Sequence, residues 1–210
     1  AIGVAACGPA PASGDAGGAP AGCGAADVPR FQVDPSWPRE LPNDWILGQV
    51  AGIAIDSDDD VWIIQRPRTL TAHEAGAVQN PQHTDCCVPA PSIIEFSREG
   101  DVLRAWGGPA YNQENAEWDV PADGWPEQEH GIFVDHEDNI WIGGNGANDH
   151  VVLKYNPDGE RLLQIGEWNE TRGSNDPDHL GRPADVRRRW PRGVSRPSRE
   201  RNRTAAHPDR

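Results

Sequence analysis

The chain has 210 residues, a formal net charge of −14, nine Trp and no Met. So acidic a chain is poorly suited to a nucleic-acid partner, and no stretch reaches the ~18 consecutive apolar residues that a membrane-spanning helix needs. The charge is unevenly placed: residues 182–210 hold ten Arg against Asp185, Glu200 and Asp209, a balance of +7 that leaves −21 on residues 1–181.

The first residues, AIGVAACG, resemble the end of a bacterial lipoprotein signal, with small residues Val4, Ala5 and Ala6 before Cys7. That resemblance implies lipid on Cys7, an extracytoplasmic protein, periplasmic or at the cell surface, and membrane contact through the lipid alone. The competing reading is an accidental Ala/Gly-rich stretch. Residues 8–27 have no apolar period and read as a flexible tether, so residues 1–27 form a first segment.

From residue 28 to 186 the pattern is that of short strands. Apolar residues alternate over about 51–56, 61–65, 91–97 and 102–106, and again over 131–135, 139–143, 150–155 and 161–166. Polar turns such as Asn156-Pro157-Asp158-Gly159 separate them. The second set repeats the first: Asp135 answers Asp56 and Trp141 answers Trp62 at an offset of 79, while Tyr155 answers Phe96 and Gly159 answers Gly100 at an offset of 59. The first repeat therefore carries 20 extra residues between its second and third strands. A third unit begins at LGRPADV, 180–186, and breaks off.

A four-stranded repeat that stacks on its neighbours is the unit of a β-propeller. The expected fold is all-β, a partial propeller of about two blades and the start of a third. An open antiparallel sheet or sandwich is the plainer alternative. The residues G-I-A-I-D and W-I, G-I-F-V-D and W-I, with an aromatic before each E-G or D-G turn, resemble NHL repeats, which implies a parent of six blades and missing C-terminal blades as the chain's partners. From residue 187 the Arg/Pro/Ser-rich run reads as a disordered basic tail produced by a shifted reading frame; the other reading is a basic arm.

In a meander of four strands the short turns share one edge and the long connections, 66–90, 107–129, 144–149 and 167–180, share the other. Long loops on one rigid edge are where binding and catalysis are usually mounted. Arg66, the Cys86-Cys87 pair and His130 are placed there. GQVAGIAIDSDDDVWIIQRP and EHGIFVDHEDNIWI, followed by NDPDHLGRPADV, resemble the first half of the propeller of peptidyl-α-hydroxyglycine α-amidating lyases. The resemblance implies a zinc ligand at His130, a catalytic guanidinium at Arg66, and calcium on the backbone carbonyls of Ile53 and Ile132. A neutral imidazole suits zinc and a permanent cation suits a carboxylate substrate. Gln65-Arg66-Pro67 departs from the family's H-R-G, and the family's remaining zinc histidines and catalytic Tyr would come from later blades, so this chain alone is expected to be inactive.

Each residue also has a plainer reading: a surface ion pair for Arg66, a hydrogen-bonded strand-edge imidazole for His130, an exposed turn for the acidic run Asp56–Asp60. Cys86 and Cys87 can close a vicinal disulfide, stay as free thiols, or pair with Cys23. The alternative to an enzyme is a non-catalytic propeller that binds a peptide, glycan or protein partner through its long-loop edge.

Overall fold

A computed structural model describes residues 31–173 and 176–186. The chain divides into two units, Ala1–Pro35 and Ser36–Arg210. Of the first, residues 31–35 are described, and they are exposed. Cys7, the tether up to residue 27 and the tail from 187 lie outside the described residues.

In the second unit the described residues form strands and short 3-10 turns. After β1 (Trp45–Ile46), the first repeat gives β2 (Gln49–Ile55), β3 (Val61–Arg66), a short β4 (Val88–Pro89), β5 (Ile93–Phe96) and β6 (Val102–Trp106). A small hairpin follows, β7 (Ala110–Asn112) and β8 (Glu117–Asp119). The second repeat gives β9 (Glu129–Val134), β10 (Ile140–Gly144), β11 (Val151–Tyr155) and β12 (Arg161–Gly166). Two antiparallel four-stranded meanders result, β2-β3-β5-β6 and β9-β10-β11-β12. Strands β1 and β4 pair in parallel.

Both repeats fold their first turn in the same way. Asp56 Oδ1 accepts the backbone N–H groups of Asp58 and Asp60 at 2.9 and 3.0 Å, and its Oδ2 accepts Trp62 Nε1 at 2.9 Å. Asp135 Oδ1 accepts those of Glu137 and Asn139 at 2.9 and 3.0 Å, and its Oδ2 accepts Trp141 Nε1 at 2.8 Å. Asp59 and Asp138 take the left-handed φ, 67° and 60°, that such a tight turn requires of one residue. One carboxylate thus satisfies a turn and anchors a tryptophan, which is why the Asp and Trp recur six residues apart in each repeat.

Alternation then decides what packs. One face of the first meander presents Trp62, Ile64 and Ile93, and the second meander answers with Ile132, Val134, Ile140, Ile142, Leu153 and Tyr155 in one buried cluster. Strand β9 lies against β2 and β3. A Cβ on Gly52 would stand 3.0 Å from the carbonyl oxygen of His130, so the close approach of the two first strands needs the glycine. Polar contacts fix the stack at its ends: Ser57 N–H and Oγ donate to Asp138 at 2.9 and 2.6 Å, Arg104 Nε meets Asp158 at 3.2 Å, and Trp106 Nε1 donates to the Pro157 carbonyl at 3.0 Å.

The other face of the first meander is partly covered by its own leader. Trp37, Leu41, Trp45 and Leu47 pack against Ile63, Ala90, Ile94 and Phe96, with the Trp37 and Phe96 rings 5.5 Å apart. Among the described residues the other face of the second meander is covered only where Pro183 and Ala184 cross Gly143 and Gly131. Phe133, Trp141 and Lys154 line a cavity of about 350 Å³ there, with Val186 at its border.

Candidate functional site at the loop edge

Strand β3 ends in two residues with opposite tasks. Gln65 is fully buried, donates through Nε2 to the carbonyls of Ala90 and Pro91 at 2.8 and 3.1 Å, and accepts the Gly48 N–H at 2.8 Å. It ties the long loop back to the sheet. Arg66, next in the strand and on the opposite face, crosses to the second meander, where Nε donates to the carbonyl of Glu129 at 2.5 Å. Arg68 Nη1 donates to the carbonyls of Pro126 and Glu127, both at 2.9 Å. Both guanidinium groups thus donate to neutral carbonyls, and neither stands in a salt bridge among the described residues.

Glu129 is the residue before His130, so the contact brings the two sequence-predicted positions to one place. His130 is half-buried, and its Nδ1 lies 3.0 Å from the Ala184 carbonyl oxygen. Since a carbonyl can only accept, Nδ1 carries a proton, and in the neutral imidazole the lone pair is then on Nε2. Ligating histidines are commonly oriented by such a contact. Ala184 also stands over Gly131 as His130 stands over Gly52, so residues 183–186 follow the course that β9 takes one repeat earlier. No third repeat is formed among the described residues.

Sequence reasoning did not single out the Glu129 side chain. It is 1% exposed, and Oε1 accepts both Ser92 Oγ at 3.0 Å and Trp125 Nε1 at 2.9 Å. Burial pushes its carboxyl above the usual range, against the pull of those donors and of Arg68. Asp149 was missed as well; it is fully buried and accepts the N–H groups of Glu127, Gln128 and Gly146 at 2.7, 3.1 and 2.7 Å, closing the 144–150 loop onto the strand entrance. Only its place in the N-G-A-N-D turn pointed to it.

Ile53 and Ile132 occupy matching places in β2 and β9, paired to Ile63 and Ile142. The Ile53 side chain is 65% exposed, whereas that of Ile132 is buried between the meanders. Cys86 and Cys87 form a disulfide in the loop between β3 and β5. The acidic run is a turn with Ser57, Asp58 and Asp59 exposed, while its ends turn inward: buried Asp56 and half-buried Asp60 bring their carboxylates to that of Glu95, which Arg104 Nη1 meets at 2.5 Å. They sit at the start of β3, the end opposite Arg66. Burial pushes Glu95 upward, ahead of the lowering by Arg104. Among the described residues no second histidine joins His130 in a group able to hold a metal.

Comparison with protein-family models finds no match for the chain, and neither does comparison with curated proteins.

Proposed function

We propose that this chain is part of an extracytoplasmic NHL-type β-propeller, two blades and the first residues of a third, whose loop edge carries an amidating-lyase-like site around Arg66 and His130. The observation that carries the reading is the Arg66 bond to the Glu129 carbonyl, which seats a guanidinium, with no salt bridge among the described residues, beside the candidate metal ligand. The stacking reading rests on the other face of the second meander: Trp141 repeats Trp62 down to its bond with aspartate, yet Trp62 is covered by the second meander, whereas Trp141 borders a cavity and, among the described residues, has no such sheet over it.

The residues fit zinc as one member of a ligand set. His130 would offer Nε2, held in its tautomer by Ala184, and the other ligands would come from blades beyond the described residues. A bound zinc would supply Lewis acidity toward the hydroxyl of a C-terminal α-hydroxyglycine. Arg66 would hold the substrate's carboxylate, and Arg68 would brace the 126–129 backbone on which His130 is mounted.

In a form of the protein that carries the remaining blades, His130→Ala should lower zinc content and release of glyoxylate from an α-hydroxyglycine peptide together. His136→Ala, in the turn at the other edge, should change neither. Full zinc and full activity after His130→Ala would remove the site as placed here, and no glyoxylate release by the unmutated protein would leave a scaffold that binds peptide, glycan or protein.

A further inference from the structure

The loop between β3 and β5 is tied down by its own hydrogen bonds, and beyond Arg68 none of the function proposed above uses its side chains. Thr71 and Glu74 close a reciprocal cap: Glu74 Oε2 accepts Thr71 N–H and Oγ at 2.8 Å each, and Thr71 Oγ1 accepts the Glu74 N–H at 3.3 Å. The His83 N–H donates to the Gly76 carbonyl at 3.0 Å, and Thr84 Oγ1 donates to the Cys86 carbonyl. Tyr111 Oη donates to Gln79 at 3.0 Å, tying the loop to the β7–β8 hairpin.

Two imidazoles stand on this loop. The His73 and His83 rings have centroids 5.8 Å apart at an interplanar angle of 39°. Both residues are exposed, and neither ring nitrogen pair has a hydrogen bond or ion pair among the described residues. With a metal–nitrogen bond of about 2.0–2.1 Å, each ring centroid would lie about 3.2 Å from a shared ion. Ligand angles from 90° to 180° would then place the centroids about 4.5–6.4 Å apart. The observed spacing falls inside that interval. Three residues after His83 come Cys86 and Cys87, joined as a disulfide, with Cys86 exposed.

We propose that this loop is a binding site for a borderline divalent cation such as Zn²⁺, held by His73 and His83, and that thiol–disulfide exchange at Cys86–Cys87 raises its affinity. The exchange needs a dithiol: its two thiols give up two electrons and two protons and close into a disulfide, while the Cys86–Cys87 bond breaks into two thiols. While the disulfide is closed no sulfur joins the two imidazoles in a ligand group among the described residues; once reduced, the thiols turn to the ion, release their protons and add two sulfur ligands to the two nitrogens, the S₂N₂ set that zinc favours. The site is separate from His130, and its fate does not depend on the lyase reading.

The test uses the full chain with Cys7→Ser and Cys23→Ser, so that no other thiol contributes. Zinc titrated into the disulfide form should bind one equivalent, with affinity lowered at least about tenfold by His73→Ala and by His83→Ala. His136→Ala, in the turn at the other edge, should leave that equivalent in place. After reduction by a dithiol and removal of the reagent without oxygen, affinity should rise at least about tenfold, and cadmium should give the ultraviolet band of a thiolate complex. Zinc binding indifferent to both His73→Ala and His83→Ala overturns the site, and so does loss of that binding in His136→Ala. Unchanged affinity on reduction, with no thiolate band, overturns the redox control. A His73→Gln, His83→Gln pair serves in place of the alanines if either fails to fold.

Discussion

Asp135 is the residue on which the second repeat turns. Burial raises its carboxyl, but donation from Trp141, from Lys154 at 3.0 Å and from the Glu137 and Asn139 backbone outweighs burial and holds it well below the usual range. Asp135→Asn would set an amide N–H against the Trp141 N–H and the Lys154 ammonium, a clash of donors. We expect a loss of about 1–3 kcal/mol near neutral pH, measured by urea unfolding. A carboxyl lowered in the folded state stabilises above its unfolded pKa of about 3.9, and that stability is lost as pH falls through the folded value. The gap between wild type and Asp135→Asn should therefore be constant from about pH 5 to 8 and shrink below about pH 4. A gap that widens in acid would show that Asp135 acts otherwise.

At the scale of elements, the two tryptophans make a matched experiment. Trp62 is 1% exposed inside the shared core, so Trp62→Ala should cost about 3–5 kcal/mol; Trp141→Ala, on the open face, should cost less than half of that in thermal or urea unfolding. Equal losses would mean that the open face is covered in solution. Gly52→Val tests the stack itself: a branched side chain pressed on the His130 carbonyl and on Ile132 should cost about 1–3 kcal/mol by parting the first strands. The eight strands of the two repeats could be read in the sequence to within two residues at each end, because their alternation and turn residues are local properties. The parallel pairing of β1 with β4, the β7–β8 hairpin and the cover supplied by Trp37 to Leu47 could not, since each depends on partners distant in the chain. The site divides in the same way. Arg66 and His130 were marked by their places at strand ends, whereas the bond that joins them runs to a backbone carbonyl, which no side-chain pattern announces.

For the whole molecule, the open face joins other exposed apolar residues. Ile53 and Ile55 on β2, and Leu163 and Ile165 on β12, are between 45% and 65% exposed. Ile53 and Ile55 are the counterparts, 79 residues earlier, of Ile132 and Val134, which in the second repeat are buried against the first. Each end of the two-sheet stack thus shows surface that its own interior interface buries. We expect the isolated chain to bind a hydrophobic dye in its folded state and to gain mass with concentration in the micromolar range, as exposed sheet faces do. Phe133→Ser should reduce both. A clean monomer without dye binding across that range would mean that these faces are satisfied by another arrangement.

The glycine contact between first strands has a consequence for how such a chain can change over generations. Registration of one sheet on the next is held at Gly52, at the Ser57–Asp138 turn and at the Trp106–Pro157 bond. In the connection between second and third strands, the side-chain hydrogen bonds to the second sheet and to the residues leading into it come from the two ends, Arg68 and Ser92, and not from the 71–87 stretch between them. That connection can therefore lengthen at little cost to the stack, since closing a longer loop adds only about 0.6 kcal/mol per doubling. The 20 residues that separate the two repeats in length lie there, and they carry the imidazole pair and the disulfide. New chemistry can be tried on that edge, by insertion or by loss, while selection on folding acts elsewhere.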